Sequence, residues 1–253
     1  RMIFQNKSDI KYIFRCLDYN KVFDDKSDYN YDNVPTYLYD DNPWNDVQYL
    51  FNKDIFIDNT LGVVKYTLHG QKMPDMDQYS SWAADHPVGK DYVLQNYSAP
   101  ARCEDQKEFT EKEAEIVRHN VEENVLDMVK AHPETTFYFY TPPYSALWWY
   151  KTKCSGNLKR YFQAEQLQAE LLLQYDNVKL FSFTDLFDLT CDLDNYKDDT
   201  HYSEQISADI MNWIHDGTCQ MTEANYKSRI ENMTDYYLHY NYSKSGIPLA
   251  QEN

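Results

Sequence analysis

Residues 135–143 read Thr-Thr-Phe-Tyr-Phe-Tyr-Thr-Pro-Pro, and further along residues 177–183 read Asn-Val-Lys-Leu-Phe-Ser-Phe. Each is a short run of apolar, aromatic and β-branched residues bounded by a turn residue or a proline, so each predicts a buried strand, the first stopped by Pro142-Pro143. Between them, NLKRYFQAEQLQAELLLQ predicts a helix from about Leu158 to Gln174. Toward the N-terminus, Thr110-Glu111-Lys112-Glu113 is a capping box. It opens a helix whose buried stripe is Ala114, Val117, Val121, Val125 and Met128, and Pro133 terminates it. Earlier still, Ile10 to Leu17 is β-prone, ends at Asp18 and reads as a buried strand running into a surface loop. Toward the C-terminus, Ser203 can cap a helix carrying Ile206, Ile210, Trp213 and Ile214 that ends near Gly217, and a last helix runs from about Thr222 to Tyr240. Strand, helix, strand, helix, strand, loop, helix is the rhythm of an α/β protein, here a three-layer α/β/α sandwich with a mostly parallel sheet. In such sheets ligands sit beyond the carboxyl ends of the strands, which points to the loops after Leu17, Tyr140 and Phe183.

The remaining segment, roughly residues 20–108, reads as an insertion into a single domain spanning 1–253, whose core is 109–253. It opens on the polar stretch Asp24–Asn33. From Pro43 to about Leu68 the pattern turns helical, with Asp41-Asn42-Pro43 as a start and Val47, Leu50, Phe51, Ile55, Ile57, Leu61 and Val64 near one face. Gly70 to Glu108, with Pro74, Pro87, Gly89 and Pro100, reads as irregular. The chain has 253 residues, enough for a sizeable core, and its 24 tyrosines together with many Asn and Asp push the mean hydropathy down to −0.77. The net charge of −17 disfavours a nucleic-acid partner and a basic membrane-docking face, both of which need clustered Lys and Arg. No apolar run is long enough to span a bilayer. The five cysteines, Cys16, Cys103, Cys154, Cys191 and Cys219, contain no CxxC, which excludes zinc-ribbon and thioredoxin readings. They read as reduced thiols, with one or two disulfides left open and Cys191 and Cys219 flanking the most informative loop.

That loop is Asp194-Asn195-Tyr196-Lys197-Asp198-Asp199-Thr200-His201-Tyr202-Ser203. Asp198 and His201 form an Asp-x-x-His pair directly before a helix. On a tight loop this spacing lets the carboxylate fold back onto imidazole Nδ1 and turns Nε2 toward a nucleophile, the geometry of a general base with its orienting acid. The same loop compared with a calcium-binding EF-hand loop has Lys197 where glycine is needed and Ser203 where a bidentate glutamate belongs. Glu115 and His119 lie one turn apart but gain no second histidine, so no metal and no cofactor is expected. After the Pro-Pro, Tyr144, Leu147, Trp148, Trp149 and Tyr150 form an aromatic cluster that is either core or one wall of a substrate groove, and Ser145, just past the strand's carboxyl end, is either a turn residue or a substitute nucleophile.

The block from Asn195 to Ile214, NYKDDTHYSEQISADIMNWI, resembles the last block of the SGNH/GDSL hydrolase superfamily, where Asp-x-x-His precedes the final helix. It is most similar to the extracytoplasmic branch of DltD-like and alginate-acetylation-like bacterial proteins. Phe137 to Ser145 resembles the strand-then-Pro-Pro segment of those proteins, and Ile13 to Tyr19 their strand ending in Leu-Asp. The resemblance implies an SGNH/flavodoxin-like sandwich and Ser–His–Asp acyl-ester chemistry on a cell-surface glycan or polymer. In it His201 is the base and Asp198 its partner, while Tyr144, Ser145, Trp148, Trp149 and Asp18 contact substrate. It also implies an extracytoplasmic, cell-envelope location, with membrane anchoring through a segment outside this chain and a membrane-bound acyltransferase as partner. The family's Gly-x-Ser nucleophile block is absent: the six glycines, at 62, 70, 89, 156, 217 and 246, never stand two residues before a serine. In family order that block precedes Arg1. The alternative is a catalytically inactive SGNH-like domain that binds glycan or scaffolds a membrane acyltransferase.

Overall fold

The structure is a computed structural model, and it describes residue 4 and residues 9–24, 35–71 and 86–250. The chain divides into two compact units, Arg1–Lys26 with Pro87–Asn253, and Ser27–His86. Residues 87–108, which the sequence reading assigned to the insertion, belong with the first unit.

The first unit is built on a four-stranded sheet. In chain order it comprises β1 (Tyr12–Cys16), then, after the second unit with α1 (Val47–Leu50) and α2 (Gly62–Leu68), α3 (Lys90–Gln95) and α4 (Glu111–Val121). A π-helical turn, Glu122–Leu126, leads into α5 (Asp127–Ala131). There follow β2 (Thr136–Thr141), α6 (Ala146–Cys154), α7 (Leu158–Leu172), β3 (Val178–Ser182), α8 (Phe187–Thr190), α9 (Glu204–Asp216), β4 (Gln220–Met221) and α10 (Tyr226–His239). The sheet order is β1-β2-β3-β4. The first three strands are parallel, with Tyr12 opposite Thr136 and Thr141 opposite Ser182, and β4 is antiparallel to β3. The mixed α/β class with a mostly parallel sheet is therefore as expected.

Alternation along β2 and β3 sends side chains to two cores. Phe137, Phe139 and Leu180 join the larger one with α4, α6, α7 and α10. There Trp149 stacks between Phe162 and Tyr237, with centroids 4.5 and 4.8 Å away. Phe181 and Phe183 turn the other way and meet Ile206, Ile210 and Ile214 of α9, with Tyr138 and Tyr140 packed alongside. The first strand is not buried as expected: four of the five residues of β1 are exposed, among them Tyr12 and Phe14 on that second face, with Phe14 stacked on Tyr138 at 4.7 Å.

Local chemistry explains where the sequence reading and the structure part. The capping box forms as expected: Thr110 Oγ1 accepts from the Glu113 amide at 3.3 Å and Glu113 Oε2 accepts from the Thr110 amide at 2.8 Å. The stripe Ala114, Val117, Val121 and Val125 is buried, but it continues through Leu126 and Val129, and Met128 is only partly buried. The π-helical turn inserts one residue into the helical phase and moves the stripe by one position. Helix α6 was read only as an aromatic cluster. Seven of its nine residues are buried and only Lys151 is exposed, so it has no continuous polar face and no 3.6-residue period to read. The last helix begins at Tyr226 rather than Thr222, because Gln220 and Met221 pair with β3 first. Arg229 then ties this end down, with Nε and Nη2 on Asp185 at 2.7 and 2.8 Å and further bonds to the Ser182 and Cys219 carbonyls.

Cys103 and Cys154 form a disulfide, which corrects the reading of reduced thiols at those two positions; Cys16, Cys191 and Cys219 are free. Around it the Glu104 amide donates to Cys154 O at 2.8 Å and the Lys107 amide to Gly156 O at 2.7 Å. Gly156 is obligatory: its φ is +72° and a Cβ there would stand 2.3 Å from Asp105 O.

In the second unit, α1, a π-helical stretch Asp54–Leu61 and α2 bear out the helical reading of residues 43–68 in kind. The apolar face is not buried, however: Val47, Leu50, Phe51, Ile57, Leu61 and Val64 are exposed. Most of the polar stretch Asp24–Asn33, and residues 72–85 of the irregular segment, lie outside the described residues.

Candidate active site

The loop after β3 is closed before it is functional. Tyr196 and Tyr202 form an antiparallel bridge, the Lys197 amide donates to His201 O at 2.8 Å, and the Ser203 amide donates to Asn195 O at 2.9 Å. At the root, Tyr196 is fully buried and its hydroxyl donates to Pro143 O at 2.6 Å, anchoring the loop to the segment that leaves β2. At the tip, Asp198 Oδ1 accepts from the Thr200 and His201 amides at 2.8 and 2.7 Å, an Asx turn. That turn aims the other carboxylate oxygen at the ring, and Oδ2 lies 2.5 Å from His201 Nδ1.

Both side chains are about half exposed, at 47% for Asp198 and 51% for His201. Partial burial works against the charge on Asp198, but the hydrogen bonds from the His201 ring and the two amides outweigh it and hold the carboxyl below its usual range. An ionised carboxylate at Nδ1 fixes one tautomer and orients the ring, which is what a general base requires. Beside the pair, Lys151 Nζ meets Asp199 Oδ2 at 2.7 Å, and the buried Lys197 meets Glu204 Oε1 at 2.6 Å. Among the described residues, no group of three His, Cys, Asp or Glu side chains is arranged to hold a metal.

The expected substrate-contact residues divide. Asp18, just past β1, is exposed and its Oδ1 accepts from Tyr144 OH at 2.9 Å, so the ends of β1 and β2 do meet. Burial and the Asp18 carboxylate push the Tyr144 phenol far up. Ser145 is fully buried; its hydroxyl and amide both donate to Asp199 O, at 2.8 and 3.3 Å, and Oγ also accepts from the Trp148 amide as the cap of α6. Trp149 is fully buried and Trp148 is 7% exposed. Tyr144, Ser145 and the two tryptophans are thus corrected from groove wall to core: after Pro-Pro the chain turns inward and α6 dives beneath the loop. Cys16 ends β1 and is exposed as a residue. Its thiol end is partly enclosed, and this together with the Asp18 carboxylate pushes the thiol up to about 12, so it stays protonated at neutral pH.

Sequence reasoning missed Tyr196 and Tyr202, the paired tyrosines at the two feet of the loop, and Glu165. Their placement around Asp198–His201 was a readable sign of a hairpin. Glu165 was visible as the one acidic residue on the stripe Leu158, Phe162, Glu165, Ala169 and Leu172.

No protein-family model, curated protein or solved structure gives a significant match to this chain.

Proposed function

We propose that this chain carries the acid–base half of an SGNH-like acyl-ester hydrolase or acyltransferase that acts on a cell-surface glycan or polymer. One observation carries the reading: the Asp198 carboxylate, oriented by two backbone amides, holds His201 Nδ1 at 2.5 Å on a loop beyond the carboxyl end of β3. His201 Nε2 takes the proton of an attacking serine hydroxyl, and Asp198 stabilises the imidazolium that forms. The serine would come from the Gly-x-Ser block that the resemblance implies and that residues 1–253 do not contain. The finer architecture this implies is a complete three-layer α/β/α sandwich. The Cys103–Cys154 disulfide supports an extracytoplasmic location, since such bonds persist in oxidising compartments. The net charge of −17 favours a neutral glycan over a polyanionic polymer.

A second reading, a non-catalytic SGNH-like domain that binds glycan or scaffolds a membrane acyltransferase, is favoured by Ser145. This serine packs directly on the loop, yet it is buried and its hydroxyl is committed to Asp199 O.

A serine-reactive fluorophosphonate separates the two. The full-length protein is expected to label, and His201→Ala is expected to slow labelling by about 100-fold or more. Folded full-length protein that never labels sinks the enzymatic reading and leaves the binding one.

A further inference from the structure

Helix α7 buries a carboxylate that the acid–base pair does not use. Glu165 is 3% exposed and sits on the apolar stripe of the helix, where a charged group is tolerated only when its hydrogen bonds are met. Its Oε1 accepts from Thr141 Oγ1 and from Ser182 Oγ, both at 3.0 Å, and its Oε2 accepts from Tyr19 OH at 2.6 Å. Thr141 and Ser182 are the last residues of β2 and β3 and are register partners. Tyr19 opens the turn after β1, one residue beyond Asp18. A single side chain therefore gathers the carboxyl ends of all three parallel strands. Arg229 is committed to Asp185 and two carbonyls, so hydroxyls solvate the Glu165 charge in place of an ion pair.

From this point the hydrogen bonds run on to the acid–base loop. Tyr19 OH also meets Thr184 Oγ1 at 3.2 Å. Thr141 leads into Pro142 and Pro143, whose carbonyls accept from Thr184 Oγ1 at 3.4 Å and Tyr196 OH at 2.6 Å. Ser145, two residues on, holds Asp199 O. We propose that Glu165 is a positioning residue for the Asp198–His201 pair: it clamps the three strand ends together and, through the Pro-Pro segment, fixes the loop that presents the pair. Its meaning for catalysis rests on the acyl-ester reading, whereas the clamp itself is tested without any substrate.

The experiment follows the His201 ring by NMR in the histidine-labelled full chain. The Nδ1 proton held by Asp198 is identified as the one lost in both His201→Gln and Asp198→Asn. Tyr19→Phe and Glu165→Gln are expected to stay folded with lower melting temperatures, and in both this proton is expected to exchange with water about tenfold faster, as a loosened loop requires. A lower melting temperature with exchange within about twofold of the parent overturns the proposal and leaves Glu165 a purely structural residue. Should Glu165→Gln fail to fold, Tyr19→Phe decides, because it deletes one donor and keeps the ring. A parent protein with no Asp198-dependent His201 proton sinks the acid–base pair and the proposal together. A positive NMR result without fluorophosphonate labelling overturns only the enzymatic reading.

Discussion

Two carboxyl groups within one hydrogen-bonded neighbourhood are pushed in opposite directions, and the reason is their solvent. Asp198 is half exposed, and its donors outweigh partial burial, so its pKa falls. Glu165 is buried beneath the sheet's end. Loss of water outweighs the hydroxyls of Tyr19, Ser182 and Thr141 and the more distant Arg229, so its pKa rises. The signs for stability follow by linkage. A depressed folded pKa means Asp198 stabilises the fold above the ordinary aspartate range, and that contribution is lost as pH falls through its lower folded value. A raised folded pKa means the Glu165 contribution is present below the ordinary glutamate range and is lost as pH rises through its higher folded value. Urea denaturation across this range is therefore expected to show Asp198→Asn flattening the acid side of the stability curve, whereas Glu165→Gln removes the decline on raising pH. An Asp198→Asn profile that overlays the parent on the acid side contradicts the first assignment. How each residue was legible also differs. Asp198 and His201 are visible as a spacing, because an Asx turn is written in neighbouring residues. Glu165 could be suspected only as a charged residue on an apolar stripe, and its partners lie far away in the chain.

At the scale of elements, the segment 96–109 shows how an irregular stretch becomes part of a core. It has little periodicity, so its position comes from a few specific ties: the Cys103–Cys154 bond and the backbone pairs from Glu104 and Lys107. The bond closes a loop with a sequence separation of 51, and loop-closure entropy assigns about 4 kcal/mol to such a crosslink. Cys154→Ala is expected to lower stability by that order in chemical denaturation, and a non-reduced digest of the parent is expected to contain the linked peptide; its absence refutes the bond. Gly156→Ala forces a Cβ onto Asp105 O in a left-handed backbone, so a loss of about 2 kcal/mol is expected. A smaller loss in a thermal melt would mean that segment 101–109 yields. The strands and the amphipathic α4, α7 and α9 were legible because half-burial writes a period into the sequence. Helix α6 and the two-residue β4 were not: the first buries seven of its nine residues and shows no polar face, and the second is too short to alternate.

At the scale of the molecule the charge of −17 acts everywhere at once. Raising NaCl from about 10 to about 150 mM shortens the screening length from about 30 to about 8 Å. Self-repulsion should relax, so the thermal midpoint is expected to rise by about 2–4 °C, the shift that roughly 1 kcal/mol produces in a chain of this size. A midpoint that falls with salt would show that ion pairs such as Arg229–Asp185 outweigh the repulsion. By itself the sequence determined the α/β class, the three parallel strands, most helix starts and stops, and the Asp-x-x-His pair. Each of these depends on residues close enough in the chain to impose a period, a cap or a turn. Only the tertiary structure decided that Ser145 and Trp149 belong to the core, that residues 87–108 belong to the first unit, that Cys103 joins Cys154, and that Glu165 gathers three strand ends. Those outcomes depend on which distant surfaces exclude water from one another, and no local pattern along the chain records that.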